Sequence, residues 1–489
     1  MSPSLALAIW FVLVLALFLF DPAEYKGSPG LWVPVIWMFI LGSRTPAMWL
    51  GVSSTADAVQ ALEQGNPLDR TIFLLLALAA FTILVSRSFP WQRFVEQNAA
   101  LACLLAFGLL SVAWSDFPVA TFKKWFRDLG VYIAVLVVLS DPRPLEAVRL
   151  VLRRVCYLLV PLSIVLIKYY PGVGRTWSPW GGLEETGVST TKNMLGLLCL
   201  LGGVFFFWDT VTIWQRRIDV RVRRVIWVNI AFMAMILWLL TLSQSKTSTI
   251  CLALGCSLIA VTHSNFGRRH SAFVKAMGPT VFCAYVVLAL GFGMAGQISE
   301  AVGRNSSMSD RTRIWEVLLS VPINPVLGTG YQSFWLGPRV QWVWARLTGD
   351  NVLSAHNGFL QTYLELGLLG LVLLSVLLIG IYRKICRLEP LSPIRSLALS
   401  LWTVVIFYNV TEAMFGASLL FITLLMASLT VPRPLALPRS GEPVKRRTGQ
   451  NMSQKVASVD GTPAGVGRRP RRWSPRPTPT NGRDREGSR

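Results

Sequence analysis

The chain has 489 residues, of which 53% are hydrophobic and only 15% charged, and it carries a formal net charge of +22. Such a balance excludes an ordinary soluble enzyme and points to a polytopic membrane protein. About half of the excess charge lies beyond Pro432, in a tail rich in Pro, Gly, Ser and Arg. The basic total therefore marks local clusters, and a nucleic-acid partner is not expected.

A helix crossing about 30 Å of hydrocarbon needs about 20 mostly apolar residues. Runs of this kind are read near 4–20, 31–50, 71–86, 97–114, 129–140, 148–167, 193–208, 224–243, 248–263, 275–294, 359–381, 396–411 and 417–431. Several are short for a full crossing, notably 129–140, so the expected fold is all-α with about twelve transmembrane helices. The start Met1-Ser-Pro-Ser lacks a basic n-region and a small-x-small cleavage signal, and with Leu5–Phe20 it reads as a retained anchor. Four regions follow: a bundle over 1–294, a polar loop over 295–357, further spans over 358–431 and a disordered basic tail over 432–489. The seven cysteines lie in or beside apolar runs without a C-x-x-C pair and read as small core residues. With three histidines and no cluster at ligand spacing, no metal site is expected.

Basic residues set the orientation. Arg216-Arg217, Arg221, Arg223-Arg224, Arg268-Arg269, Lys445-Arg446-Arg447 and Arg468-Arg469 with Arg471-Arg472 follow spans, as the positive-inside rule requires, and suit anionic membrane lipid. Placing loops 209–224, 264–275 and 382–395 and the tail in the cytoplasm sends 168–192, 243–247, 295–357 and 411–415 to the opposite face. These segments hold most of the unusual polar residues, so chemistry is sought there.

The stretch Tyr169–Asn193 combines turn formers, Arg175, Trp177, Trp180, the carboxylates Glu184 and Glu185, and Lys192-Asn193 at a helix mouth. An aromatic belt at the interface explains the tryptophans; it does not require the cation and amide donors, which suit a phosphate. Ser243-Gln-Ser-Lys246 matches S-x-x-K superficially, but its partner elements are absent and it reads as a polar turn. In the long loop, Arg304 and Arg311 flank a turn into an amphipathic helix, and Gly328-Thr-Gly330 is a flexed turn before Phe334-Trp335, without a completed nucleotide signature. A surface ion pair from Arg311 to Asp310 or Glu316 is the plain alternative. His356-Asn357 opens the next span, where an imidazole titrating near neutrality is the usual proton acceptor. Glu365, some two turns inside that span, and Glu412, near the end of another, are costly in hydrocarbon unless paired or wetted.

Eight short motifs occur in order across about 350 residues. They are Asn66-Pro-Leu-Asp69-Arg70; Ser111-Val-Ala-Trp114-Ser115-Asp116-Phe-Pro118 followed by Lys123-Lys124-Trp125; Thr191-Lys192-Asn193-Met-Leu-Gly196; Ser243-Gln-Ser-Lys246-Thr-Ser; Arg311-Thr-Arg-Ile-Trp315; Gly328-Thr-Gly330-Tyr331 with Phe334-Trp335; His356-Asn357 with Glu365-Leu-Gly367; and Asn409-Val-Thr-Glu412. In this order the chain resembles the bacterial O-antigen ligase and polymerase superfamily, with exopolysaccharide production proteins as the branch most alike. Thr191 stands where a His often precedes the Lys-Asn pair in that superfamily, so no proton transfer is assigned there.

The resemblance implies a multi-pass protein of the bacterial inner membrane with a large periplasmic loop. It would transfer a glycan from undecaprenyl pyrophosphate to a hydroxyl of a glycan or lipid acceptor, without metal, nucleotide or other cofactor. Arg175 and Arg311 would meet the leaving pyrophosphate, and His356 would take the acceptor proton, aided by Glu365 or Glu412. An α-linked donor attacked from behind would be inverted. Lys192, Asn193, Arg304 and Asn357 are further binding candidates, and Trp177, Trp180 and Trp335 would stack on sugars. A transporter of lipid-linked glycan, which should show an internal repeat or paired broken helices, and a non-catalytic scaffold are the alternatives.

Overall fold

The computed structural model describes residues 1–20, 25–52, 65–177, 182–287, 307–347, 352–390 and 392–431. The basic tail, Trp180 and Arg304 lie outside the described residues. What is described is helical apart from one two-stranded hairpin, Arg175–Trp177 paired antiparallel with Leu183–Glu185. Hydrocarbon offers no partner to backbone N–H and C=O groups, so a chain this apolar satisfies them within helices.

Among the described residues, seven helices are long and apolar enough to cross a membrane: Pro67–Ser86, Pro144–Tyr169, Lys192–Arg216, Val220–Ser243, Lys246–His263, Gly358–Arg387 and Pro393–Thr411. The pair Trp91–Gln97 and Ala99–Ala113, bent by 99°, offers an eighth crossing, and Pro3–Leu19, Pro29–Gly42, Ser271–Val286 and Leu419–Ser428 are shorter apolar helices. The protein is thus an all-α, multi-pass membrane protein, while a count of twelve full crossings is not confirmed by length. Two expected spans differ in form. The run 31–50 is cut between Gly42 and Pro46, where Arg44 leaves the apolar path and donates to the Ser189 carbonyl at 3.0 Å. The run 129–140 is only the apolar end of helix Pro118–Leu139, whose first turns carry Lys123, Lys124, Arg127 and Asp128 and so carry little apolar signal.

Pro144–Tyr169, Lys192–Ile213 and Pro393–Thr411 form the buried centre, whereas Pro67–Ser86 and Val220–Ser243 leave most of their apolar surface outward, as lipid-facing helices do. Small residues permit close packing at the centre. A Cβ on Gly203 would lie 2.6 Å from Leu252, and one on Gly196 2.5 Å from Ser245, so the turn joining Val220–Ser243 to Lys246–His263 nests against the start of Lys192–Ile213. Asp209, buried in this core, is joined to Arg153 at 2.7 Å, Arg149 at 3.4 Å and Asn229 Nδ2 at 2.9 Å, as a charge removed from water requires.

Helix Gly358–Arg387 is broken at Gly367, whose φ of 64° and ψ of −164° are not helical. The break is filled by loop 325–330. Thr329 N and Gly330 N donate to the carbonyls of Leu364 and Glu365, at 3.1 and 2.8 Å. In return, Leu368 N and Leu369 N donate to Pro325 O and Val326 O, at 2.9 and 3.2 Å. A Cβ on Gly367 would stand 2.2 Å from Val326 O, and one on Gly328 2.5 Å from the Glu365 carbonyl carbon. Glycine is thus required on both sides of the exchange. The same loop is tied down by the Ser111–Asp116 motif, through Trp114 Nε1 to Leu327 O at 3.2 Å, Tyr331 N to Ser111 Oγ at 2.9 Å and Ser115 Oγ to Ser333 Oγ at 3.0 Å.

Candidate active site

Glu412 follows the last turn of helix Pro393–Thr411 and is the hub of a buried polar network. Its Oε1 accepts from Arg311 Nη2 at 2.8 Å and Asn193 Nδ2 at 3.0 Å, and its Oε2 faces His356 Nδ1 at 3.3 Å. Burial by itself would raise this carboxyl. The hydrogen bond from His356 and the charges of Arg311 and His356 outweigh burial and hold it below the usual carboxylate range. Glu412 is therefore an anion at neutral pH.

Each member arrives from a different element. Asn193 is in the first turn of Lys192–Ile213, whose N-cap Thr191 accepts from Met194 N. Arg311 lies on helix Ser307–Leu319. His356 precedes the N-cap Asn357, whose Oδ1 accepts from Phe359 N and Leu360 N at 3.0 Å each. The neighbouring Thr411 bonds Thr247 at 3.0 Å, bringing the turn at 243–247 to the same place. Segments predicted from charge to share one face thus converge.

His356 has φ = 46°, a left-handed conformation that strains a residue with a Cβ and that histidine tolerates better than most. Ser354 Oγ accepts its N–H at 3.2 Å and helps fix it. With Nδ1 engaged by Glu412, Nε2 is the nitrogen left for exchange with a substrate. Arg311 is 13% exposed at its side chain, and its Nη1 is buried without a hydrogen-bond partner among the described residues. An orphaned, charged donor of this kind awaits an acceptor oxygen.

The hairpin holds the other predicted cations in pairs. Arg175 sits opposite Glu185 in register and bonds it at 3.0 Å, and Lys192 reaches Glu184 at 2.7 Å. Both cations are partly hydrated, with side chains 35% and 40% exposed. Trp177 is 74% exposed. Trp335 is buried instead, and its Nε1 donates to Gln361 Oε1 at 3.1 Å. Glu365 belongs to a second polar group. It accepts from Gln361 Nε2 and from Gln332 N at 3.2 Å.

Sequence reasoning missed several members of that second group. Asp128 accepts from Tyr331 Oη at 2.7 Å, Gln332 Nε2 at 2.6 Å and Arg127 Nε at 2.8 Å. Burial, then the Asp128 charge, pushes the Tyr331 phenol well above its ordinary range, so it stays a donor. Gln332, at φ = 52°, has every polar group engaged, its carbonyl by Lys124 Nζ at 3.0 Å and its Oε1 by Arg127 Nη2 at 3.2 Å. The signal was an Arg-Asp pair one turn beyond Lys123-Lys124-Trp125, inside a helix otherwise heading into the bilayer.

Residues 230–375 match the family described as O-Antigen ligase. The exopolysaccharide production protein ExoQ of Rhizobium meliloti (strain 1021) is 24% identical over 285 residues, which are 56% of this chain and 62% of that relative. The chain thus spans about three-fifths of the length of the curated relative it matches. Arg311, the Gly328–Tyr331 turn, His356 and the Glu365–Gly367 break all fall within the family region, whereas Arg175, Asn193 and Glu412 lie outside it. The two matches support the O-antigen ligase-like superfamily that the ordered motifs resemble.

Proposed function

With the O-antigen ligase-like superfamily as premise, we propose that this chain transfers a glycan from an undecaprenyl-pyrophosphate-linked donor to a hydroxyl of a glycan or lipid acceptor. Transfer would occur at the periplasmic face of the inner membrane, without metal or nucleotide. The observation that carries this reading is the joint attachment of Arg311 and His356 to ionised Glu412, with Arg311 Nη1 left unpartnered.

In the proposed step, the acceptor oxygen bonds to the sugar C1 as the C1–oxygen bond to pyrophosphate breaks. The electron pair leaves with polyprenyl pyrophosphate, whose growing charge Arg311 meets through Nη1 in a poorly hydrated setting. The acceptor proton passes to His356 Nε2 while Glu412 steadies the imidazolium through Nδ1. Arg175 on the more hydrated hairpin, and Lys192 at the start of the following helix, capture the donor's phosphates by exchanging their carboxylate partners. Attack from behind on an α-linked donor inverts C1.

The full chain in lipid vesicles, given undecaprenyl-pyrophosphate oligosaccharide and an acceptor with chelator present, should release undecaprenyl pyrophosphate and an elongated glycan. Movement of intact lipid-linked donor across the vesicle, with no product, would establish the transporter reading instead. The break at Gly367 does not favour that alternative, because a loop rather than an ion site satisfies its carbonyls.

A further inference from the structure

A cavity of about 340 Å³ opens beside the Glu412 network and takes no part in the step above. Its walls come from the helices carrying Leu104 and Lys124, the Tyr331–Trp335 loop, the first turns of helix Gly358–Arg387 and the segment around Phe415. Ser354 and Ala413 are also among its lining residues, and they stand two residues from His356 and one from Glu412 along the chain. The volume falls within the roughly 300–1,000 Å³ of ordinary small-ligand sites.

The lining combines two chemistries. Trp125 and Trp335 have spent their N–H groups on Leu105 O at 2.9 Å and Gln361 Oε1 at 3.1 Å, so what they add is ring surface. Facing that surface are hydrogen-bonding groups, above all the carboxylate of Glu365 and the amine of Lys124. Glu365 uses two acceptor positions, toward Gln361 and Gln332, and a carboxylate offers about four. Apolar faces beside dense polar groups fit a sugar ring, which has C–H faces and a hydroxyl perimeter. The polar lining is a poor host for a polyprenyl chain.

We propose that this cavity is the acceptor subsite, holding one sugar ring of the acceptor glycan with Trp125 and Trp335 against its face and Glu365 and Lys124 on its hydroxyls. The ring then presents a neighbouring hydroxyl toward His356. The assignment rests on the transferase reading, deepens it by locating the acceptor, and separates it from the donor's phosphates at Arg311.

The probe is a fluorescent oligosaccharide obtained by partial acid hydrolysis of the host's own surface polysaccharide, titrated against the full chain in nanodiscs without donor. Glu365→Gln and Lys124→Met should each weaken binding about tenfold, the loss of one well-placed hydrogen bond. Trp335→Phe should weaken it less. In turnover with lipid-linked donor, the Glu365 and Lys124 variants should raise the acceptor KM while the donor KM and slow donor hydrolysis by water stay constant. Unchanged acceptor binding in correctly inserted variants overturns the subsite, and so does an equal rise in the donor KM, which assigns the cavity to the donor's sugar. Glu365-dependent binding without any transfer by the wild type keeps the subsite and sinks the transferase reading; transfer with unaltered acceptor KM does the reverse.

Discussion

Arg311 and Arg175 are equivalent in the sequence reading and sit in opposite electrostatic settings in the fold. Arg311 is mostly buried, held by a carboxylate 101 residues away and shared with a histidine and an asparagine. Arg175 is about a third exposed and paired across a three-residue strand with Glu185. The buried cation is fixed before substrate arrives, whereas the hydrated one can exchange partners at little cost, since exposed pairs contribute roughly 0–1 kcal/mol. Fixed charge suits the transition state, and exchangeable charge suits capture.

Kinetics can break this contrast. The largest effect is expected at the shared histidine: His356→Ala should lower kcat by roughly 10²–10⁴-fold, with donor binding retained. Near-normal turnover would move the base role to Glu412. Next, Arg311→Lys should lower kcat on the order of 10²-fold, because an ammonium cannot hold Glu412 and reach a phosphate in one plane. Arg175→Lys should instead raise the donor KM several-fold, increasingly so with added salt. If both variants lose kcat alike and without salt dependence, the two arginines act together and the contrast is wrong.

The fold can be probed in the same descending order. Gly367→Ala should destabilise the protein by about 1–3 kcal/mol, read from thermal unfolding in detergent, since the added Cβ meets Val326 O. The smallest effect concerns pH. Glu412 titrates below its unfolded value of about 4.3, so its stabilising contribution is complete above that pH and is lost as pH falls through the folded pKa. Unfolding temperature should therefore drop below about pH 4 in the wild type, and less steeply in Glu412→Gln.

Spans and polar segments were legible because hydropathy is a local property of the chain. So was the candidacy of His356 and Glu412, for a titratable group at the edge of an apolar run needs a reason to be there. Their contact was not, because 56 residues separate them. Nor could the sequence choose a partner for Arg311, which pairs with Glu412, 101 residues away. Asp128 went unread because it follows Arg127 on what looks like a helix start, and only the Tyr331–Gln332 loop shows what it anchors. The Gly328-Thr-Gly330 and Glu365-Leu-Gly367 motifs were each visible, yet their meaning is mutual: the loop and the broken helix exchange four backbone hydrogen bonds.

The exchange at Gly367 also resets depth. Because the turns before it are hydrogen-bonded to a loop, the rod available to the bilayer begins at Leu368, and the stretch to Arg387 rises about 30 Å, the thickness of one hydrocarbon core. The turns holding Glu365 are thereby enclosed by protein, with the carboxyl held by Gln361 and Gln332 N. A group that reads in the sequence as stranded among apolar residues is instead housed where a glycine lets a loop step into the helix.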